Sequence, residues 1–92
     1  MLMQPIQKIC IVGVGYIGLP TCVVLARAGF EVFGADVNER IITSLRDGVV
    51  PIDEPGLQEE FDAAEGKLRF GSSPEEADAF YICVSTPLDT TG

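Results

Sequence analysis

Hydrophobic and polar residues alternate in blocks along the chain, and the period of the pattern changes from one block to the next. Residues 8–14 form a continuous apolar run rich in Ile and Val, which is typical of a strand buried on both faces. Over residues 16–28 the apolar positions recur at helical spacing, and Gly29 follows them as the expected end of a helix. This first block therefore predicts a buried strand that leads directly into an amphipathic helix.

The same succession of strand and helix continues along the chain. The pattern predicts strands at residues 31–35, 68–71 and 79–84, helices at residues 38–46 and 56–65, and a brief helix begun by Ser73, Pro74 and Glu76. Strands separated by helices imply crossover connections, and crossovers place parallel strands in one sheet. The predicted fold class is α/β: part of a Rossmann-like, doubly wound parallel sheet in the strand order 3-2-1-4, with helices on both faces in a three-layer α/β/α arrangement.

Composition and charge narrow the classes of function. The chain has 92 residues, one domain at most, and its net charge of -8 disfavours nucleic acid and anionic membrane surfaces as partners. It has no histidine, and its three cysteines (Cys10, Cys22 and Cys83) form no C-x-x-C pair, so we expect structural cysteines and no metal site. No apolar run is long enough to span a bilayer and the start lacks a signal peptide, so we expect a cytoplasmic protein.

A glycine-rich turn is the strongest chemical signal in the sequence. Gly13, Gly15 and Gly18 form a G-x-G-x-x-G pattern between the first predicted strand and its helix. Asp36 ends the next predicted strand, 18 residues after Gly18. In a dinucleotide-binding turn the first glycine permits the tight bend, the second lets a pyrophosphate approach the backbone, and the third lets the helix lie close to the strand. The context therefore predicts nucleotide binding.

The predicted helix supplies the positive charge that such a ligand needs. Backbone N–H groups near Tyr16 and Ile17 would donate to the phosphates at the positive end of the helix, which explains how an acidic domain can bind a dianion. Asp36 would accept hydrogen bonds from both ribose hydroxyls and repel a 2′-phosphate, so we predict NAD rather than NADP as the cofactor. The alternative is a purely structural turn in which Asp36 caps the following helix.

Three further positions are secondary candidates. Arg40 lies four residues beyond Asp36 and either reaches the adenosine or belongs to a solvated helix face. Ser85 and Thr86 follow the fourth predicted strand at its carboxyl end, beside the first strand, where open α/β sheets bind ligands. They either line the nicotinamide-ribose side of a cofactor or form a turn ahead of Pro87. No catalytic residue is predicted in the chain.

Three segments together carry a family resemblance. They are residues 8–21 (KICIVGVGYIGLPT), residues 51–57 (PIDEPGL) and residues 77–87 (ADAFYICVSTP). In this order they resemble the N-terminal part of the UDP-glucose/GDP-mannose dehydrogenase family over nearly the whole chain. The LPT and ADA triplets are most similar to the UDP-N-acetylmannosamine dehydrogenase branch of that family.

The resemblance implies an enzyme that oxidises the C6 hydroxyl of a nucleotide sugar to a carboxylate in two NAD-dependent steps, through a cysteine-bound thiohemiacetal and thioester. By matching positions it implies contacts to NAD from Tyr16, Ile17, Asp36, Arg40 and Thr86. Several relatives place the basic residue one position later, where this chain has Ile41. The catalytic cysteine, lysine and asparagine of the family have no counterpart here. We therefore expect the truncated NAD-binding part of a longer, homo-oligomeric enzyme, or alternatively a stand-alone nucleotide-sensing module without catalysis.

Overall fold

The computed structural model describes residues 5–83 of the chain. It contains strands β1 (Lys8–Val12), β2 (Glu31–Ala35), β3 (Leu68–Gly71) and β4 (Ala79–Ile82), helices α1 (Gly18–Arg27), α2 (Glu39–Arg46) and α3 (Leu57–Ala63), and a 3-10 turn at Glu65–Lys67. All strand pairings are parallel, and the spatial order is β3-β2-β1-β4. The predicted α/β class and strand order are therefore confirmed.

The strand register aligns the carboxyl ends of the sheet. Val12 pairs with Ala35 on one side and with Ile82 on the other, and Ala35 pairs in turn with Gly71. All four strands therefore end at the same edge of the sheet. The turn that follows β1 lies between the ends of β2 and β4, where open parallel sheets bind ligands.

The helices pack on one face of the sheet. Their buried side chains share one core with alternate strand positions; the central members are Ile11, Val14, Leu19, Cys22, Val32, Leu45, Phe61 and Phe70. On the opposite face Cys10, Phe33 and Ala35 form a smaller cluster, and Ala77 from the β3–β4 connection packs against it. The second helical layer of the predicted three-layer arrangement does not occur within residues 5–83, because this connection covers the second face without forming a helix.

The prediction of a brief helix near residue 74 is wrong, because residues 72–78 are irregular. Tertiary bonds hold this segment against the sheet. The Glu75 carboxylate lies 2.7 Å from both Lys8 Nζ and Arg69 Nη2, and Asp78 Oδ2 accepts a hydrogen bond of 2.9 Å from the backbone N–H of Lys8. A helix of one or two turns is marginal by itself, so these long-range bonds decide the conformation.

The predicted bounds of β2 and β3 are confirmed, and the other boundaries within the described residues differ from the predictions by at most two residues. The strand predicted over residues 8–14 ends at Val12, because Gly13 has a φ of 99° and turns the chain out of the sheet. The helices predicted to begin at residues 16, 38 and 56 begin at Gly18, Glu39 and Leu57. The described part of the fourth strand ends at Ile82, and predicted strand residue 84 lies outside the described residues.

Candidate cofactor site

A groove of about 420 Å³ opens at the carboxyl ends of β1 and β2. Four separate stretches of sequence meet there: the glycine turn, the end of β2 with the start of α2, the segment after β3, and the end of β4. The lining residues are Val12, Gly13, Gly15, Ala35, Asp36, Val37, Asn38, Ile41, Ser72, Pro74, Ile82 and Cys83. The structure therefore brings together three of the predicted site residues, Gly13, Gly15 and Asp36.

Two glycines of the turn are required by backbone packing. A Cβ on Gly13 would lie 2.0 Å from the carbonyl oxygen of Cys83, and a Cβ on Gly18 would lie 1.7 Å from the carbonyl oxygen of Gly13. The N–H of Gly13 donates a 2.7 Å hydrogen bond to the carbonyl of Ala35, which ties the turn to the end of β2. These contacts assign to Gly13 the tight turn and to Gly18 the close approach of helix and strand.

Gly15 is different, because the fold of residues 5–83 does not require it. Its φ lies outside the left-handed region, and a Cβ added there would meet no described atom within 4 Å. The backbone at Gly15 is therefore open on the side of the groove. An approaching phosphate could reach the backbone here without meeting a side chain, as the motif predicts.

The Asp36 carboxylate is held by two backbone groups. Its Oδ2 accepts a 2.9 Å hydrogen bond from the N–H of Val14, and its Oδ1 accepts one of 2.9 Å from the N–H of Asn38. An ionised carboxylate has about four lone-pair sites, so both oxygens keep acceptor capacity for a diol. The helix cap is Asn38, whose Oδ1 accepts from the N–H groups of Arg40 and Ile41. The alternative assignment of Asp36 as the cap of α2 is therefore wrong.

The N-terminus of α1 carries no compensating group of its own. Ile17 occupies the N-cap position without a side-chain hydrogen bond, and the first turn holds no acidic residue. Within residues 5–83 the N–H groups of Tyr16 and Ile17 have no hydrogen-bond partner, and both side chains are exposed. By contrast, α2 has Asn38 as its cap and Glu39 in its first turn. The start of α1 thus keeps its donors and its partial positive charge for an external anion.

The structure does not bring Arg40 into the groove. Arg40 lines a separate, shallow hollow with other residues of α2 and the following loop, whereas its neighbour Ile41 lines the groove. Successive helical residues are about 100° apart around the axis, so adjacent positions face different surroundings. This placement identifies Ile41 as a lining residue that was not among the predicted site residues, and a contact from Arg40 to the cofactor stays a prediction. The signal that pointed to Ile41 was the position at which several relatives place their basic residue.

The far wall of the groove was not predicted. Ser72 and Pro74 come from the irregular segment after β3, and Ile82 and Cys83 from the end of β4. No local pattern in the sequence connects these positions with the glycine turn. The candidates Ser85 and Thr86 lie outside the described residues.

The thiols of Cys22 and Cys83 are held in their neutral form. Burial raises the pKa of Cys22, with smaller contributions from Cys83 and Cys10, and burial also raises the pKa of Cys83. A raised pKa leaves little thiolate at neutral pH, so these positions suit packing better than nucleophilic attack. Between residues 5 and 83 no cluster of potential metal ligands occurs, and no helix there is long and apolar enough to cross a membrane.

The parallel sheet, the glycine turn and the fixed carboxylate define a dinucleotide-binding domain of the α/β class. A sequence profile described as the UDP-glucose/GDP-mannose dehydrogenase family, NAD binding domain, matches residues 7–92. The chain belongs to this family, and its cofactor is NAD.

Individual relatives agree with this placement. The chain is 50% identical over 84 residues to a UDP-N-acetyl-D-mannosamine dehydrogenase of Methanococcus maripaludis (strain C7), covering 89% of this chain and 20% of the relative. It is 43% identical over 97 residues to the UDP-glucose 6-dehydrogenase of Rattus norvegicus, covering 98% of this chain and 20% of the relative. The chain thus spans about a fifth of the length of these relatives.

Solved structures give the same result. The UDP-N-acetyl-mannosamine dehydrogenase Cap5O from S. aureus superposes with a TM-score of 0.85 at 44% identity, over 88% of this chain and 20% of that one. The GDP-mannose dehydrogenase of Pseudomonas aeruginosa, in a ternary complex, superposes with a TM-score of 0.81 at 32% identity, over 94% of this chain and 21% of that one. These relatives are dehydrogenases, which does not favour the alternative of a stand-alone sensing module.

Proposed function

We propose that this domain is the truncated NAD-binding part of a longer nucleotide-sugar 6-dehydrogenase, which oxidises the C6 alcohol of a sugar nucleotide to the uronic acid. One observation carries the proposal: in a member of an NAD-binding family, the start of α1, which has no side-chain cap, lies beside the Asp36 carboxylate that the backbone holds in place. NAD supplies the hydride acceptor. The catalytic residues and most of the substrate site belong to a substrate domain absent from these 92 residues, so this chain alone should not turn over substrate.

Each part of the groove has a proposed role toward the cofactor. The open backbone at Gly15 and the N–H groups of Tyr16 and Ile17 would hold the pyrophosphate, since these N–H groups lie at a helix N-terminus and have no partner among residues 5–83. The free lone pairs of Asp36 would accept the adenosine ribose hydroxyls. Ile41 would flank the adenine as an apolar wall. Ser85 and Thr86 stay predictions for the nicotinamide-ribose side.

Cofactor choice tests this arrangement. In the complete protein Asp36→Ala should weaken NAD binding by about tenfold, because a charged acceptor is lost. It should also reduce the difference between the affinities for NAD and NADP, because the repulsion of the 2′-phosphate disappears. Asp36→Asn is the matched control, since it removes the charge but keeps one acceptor oxygen for Val14. Calorimetric titration of each variant with NAD and with NADP measures the two affinities. Equal affinities of the unmutated protein for the two cofactors would contradict the role of Asp36.

For the substrate we propose UDP-N-acetylmannosamine ahead of UDP-glucose and GDP-mannose. The support is the agreement among relatives: six UDP-N-acetyl-D-mannosamine dehydrogenases are 41% to 50% identical to this chain. We further propose a cytoplasmic homo-oligomer that supplies a uronic-acid sugar nucleotide for polysaccharide synthesis. NADH formation by the complete protein with each sugar nucleotide tests the substrate, with about two NADH expected per sugar oxidised. Absence of NADH with all three would overturn the activity.

A further inference from the structure

Gly34 is closely covered by neighbouring side chains on the face of the sheet that carries the helices. Gly34 lies in β2 and pairs with Ile11 of β1 and Phe70 of β3. A Cβ built on Gly34 would lie 2.8 Å from Cγ1 of Val14 and 2.8 Å from two ring atoms of Phe70. Ordinary contacts of a Cβ lie at 3.4–4 Å, so the space for a side chain at position 34 is already filled.

Backbone geometry does not require a glycine at this position. Gly34 belongs to a regular strand, and its φ lies outside the left-handed region that favours glycine. Any residue could adopt this extended backbone. The close approach of Val14 and Phe70 is therefore the reason for the missing side chain.

Val14 links Gly34 to the cofactor turn. It stands between Gly13 and Gly15, its side chain is fully buried, and its N–H donates to Asp36 Oδ2 at 2.9 Å. The position of the buried Val14 side chain therefore determines how far the glycine turn lies from the Asp36 carboxylate. Phe70 is braced by a stacked ring, Phe61, with 6.0 Å between ring centroids. Crowding at position 34 should therefore displace Val14, which belongs to a turn outside the sheet, before it displaces Phe70 of β3.

We propose that Gly34 is a positioning residue for the NAD site. Because it has no side chain, Val14 can pack directly against the sheet, and this packing fixes the position of Gly15 relative to Asp36. The proposal rests on the proposed role of the groove in holding NAD. Gly34 itself does not line the groove, so its effect on the cofactor passes through Val14.

A double-mutant cycle in the complete protein tests the proposal, with NAD affinity measured by calorimetry. Gly34→Ala should weaken NAD binding by about tenfold, because the lifted turn misplaces a hydrogen bond to a charged group. Val14→Ala should weaken it too, since the turn loses its anchor. The double variant should bind NAD more tightly than Gly34→Ala, because the new methyl occupies space that the valine methyls vacate. KM for NAD should rise with little change in kcat.

Two controls separate positioning from a general loss of packing. Gly34→Ala combined with Phe70→Leu relieves the other close contact and should leave NAD affinity low. Leu57→Ala removes packing from the same core at α3, and Leu57 neither lines the groove nor contacts the space at Gly34. This variant should lose stability but keep its NAD affinity within about twofold. Urea unfolding of each variant shows whether stability and NAD affinity change separately.

The outcomes decide the proposal. Unchanged NAD affinity in Gly34→Ala, or rescue by Phe70→Leu rather than by Val14→Ala, would overturn it. If Gly34→Ala does not fold, the two double variants are compared, and equal NAD affinities for them would overturn it as well. Failure of the unmutated protein to bind NAD would overturn the proposed function of the groove, and the positioning role with it.

Discussion

At the scale of single residues, the glycine turn divides into two positions that the fold requires to be glycine and one that it does not. The motif predicted three glycines with three roles. The structure adds a physical distinction: Gly13 and Gly18 lie against backbone atoms, whereas Gly15 borders open space within the described residues. Asp36 could also be predicted from its spacing. Its bond to Val14 could not, because that bond depends on how far the turn folds back over β2.

This distinction predicts opposite effects for two alanine variants of the complete protein. Gly15→Ala should keep the stability of the domain and weaken NAD binding by at least about tenfold, because the new methyl stands where the pyrophosphate approaches. Gly18→Ala should lower the free energy of unfolding by about 1–3 kcal/mol, since its Cβ collides with the Gly13 carbonyl. Urea unfolding and NAD titration of both variants provide the measurements. A large loss of stability in Gly15→Ala would contradict this assignment.

At the scale of elements, the predictions succeeded where the pattern is local and failed where distant residues decide. The bounds of β2 and β3 agree with the sequence pattern, because short apolar runs between turn residues mark them. The irregular segment 72–78 does not agree with the sequence pattern. Its conformation depends on the bond between Glu75 and Lys8, which are 67 residues apart along the chain. The far wall of the groove was missed for the same reason. Which of Arg40 and Ile41 lines the groove could not be predicted, because it depends on the rotation of α2 about its own axis.

The ion pairs of Glu75 predict a pH dependence of stability. Hydrogen bonds from Arg69 and Lys8 lower the pKa of Glu75 from its ordinary 4.5 to about 2. Because the folded-state pKa is depressed, this contribution to stability is fully present above about pH 4.5 and is lost as the pH falls toward 2. Glu75→Gln should therefore lower the urea midpoint of this chain slightly at neutral pH, and the difference from the unmutated chain should shrink in acid.

A neighbouring carboxylate provides the control for this prediction. Glu76 forms no ion pair within residues 5–83, and Glu76→Gln makes the same change of charge. Its urea midpoint should follow that of the unmutated chain at each pH. The ion-pair argument fails if both variants shift equally, or if the deficit of Glu75→Gln grows as the pH falls.

At the scale of the whole molecule, the sheet is asymmetric. β3 and β4 are its edges in the part of the chain that the structure describes, and β4 is poorly covered. Phe80, Tyr81 and Ile82 are 54%, 49% and 65% exposed, and Val24 of α1 nearby is 65% exposed. Unpaired strand edges with apolar side chains are templates for association. The composition, with 47% hydrophobic residues, did not reveal that so much of this surface lies on one strand.

This exposed strand predicts self-association of the 92-residue chain in solution. Its sedimentation coefficient should rise with concentration through the micromolar range, because pairing at the β4 edge satisfies backbone groups and buries the apolar side chains together. Phe80→Lys should reduce the association, since a charge on an edge strand opposes pairing. Val49→Lys is the matched control: Val49 is 53% exposed but lies in the loop after α2, so association should persist. A stable monomer for the unmutated chain, or equal effects of the two lysines, would show that this strand does not drive association.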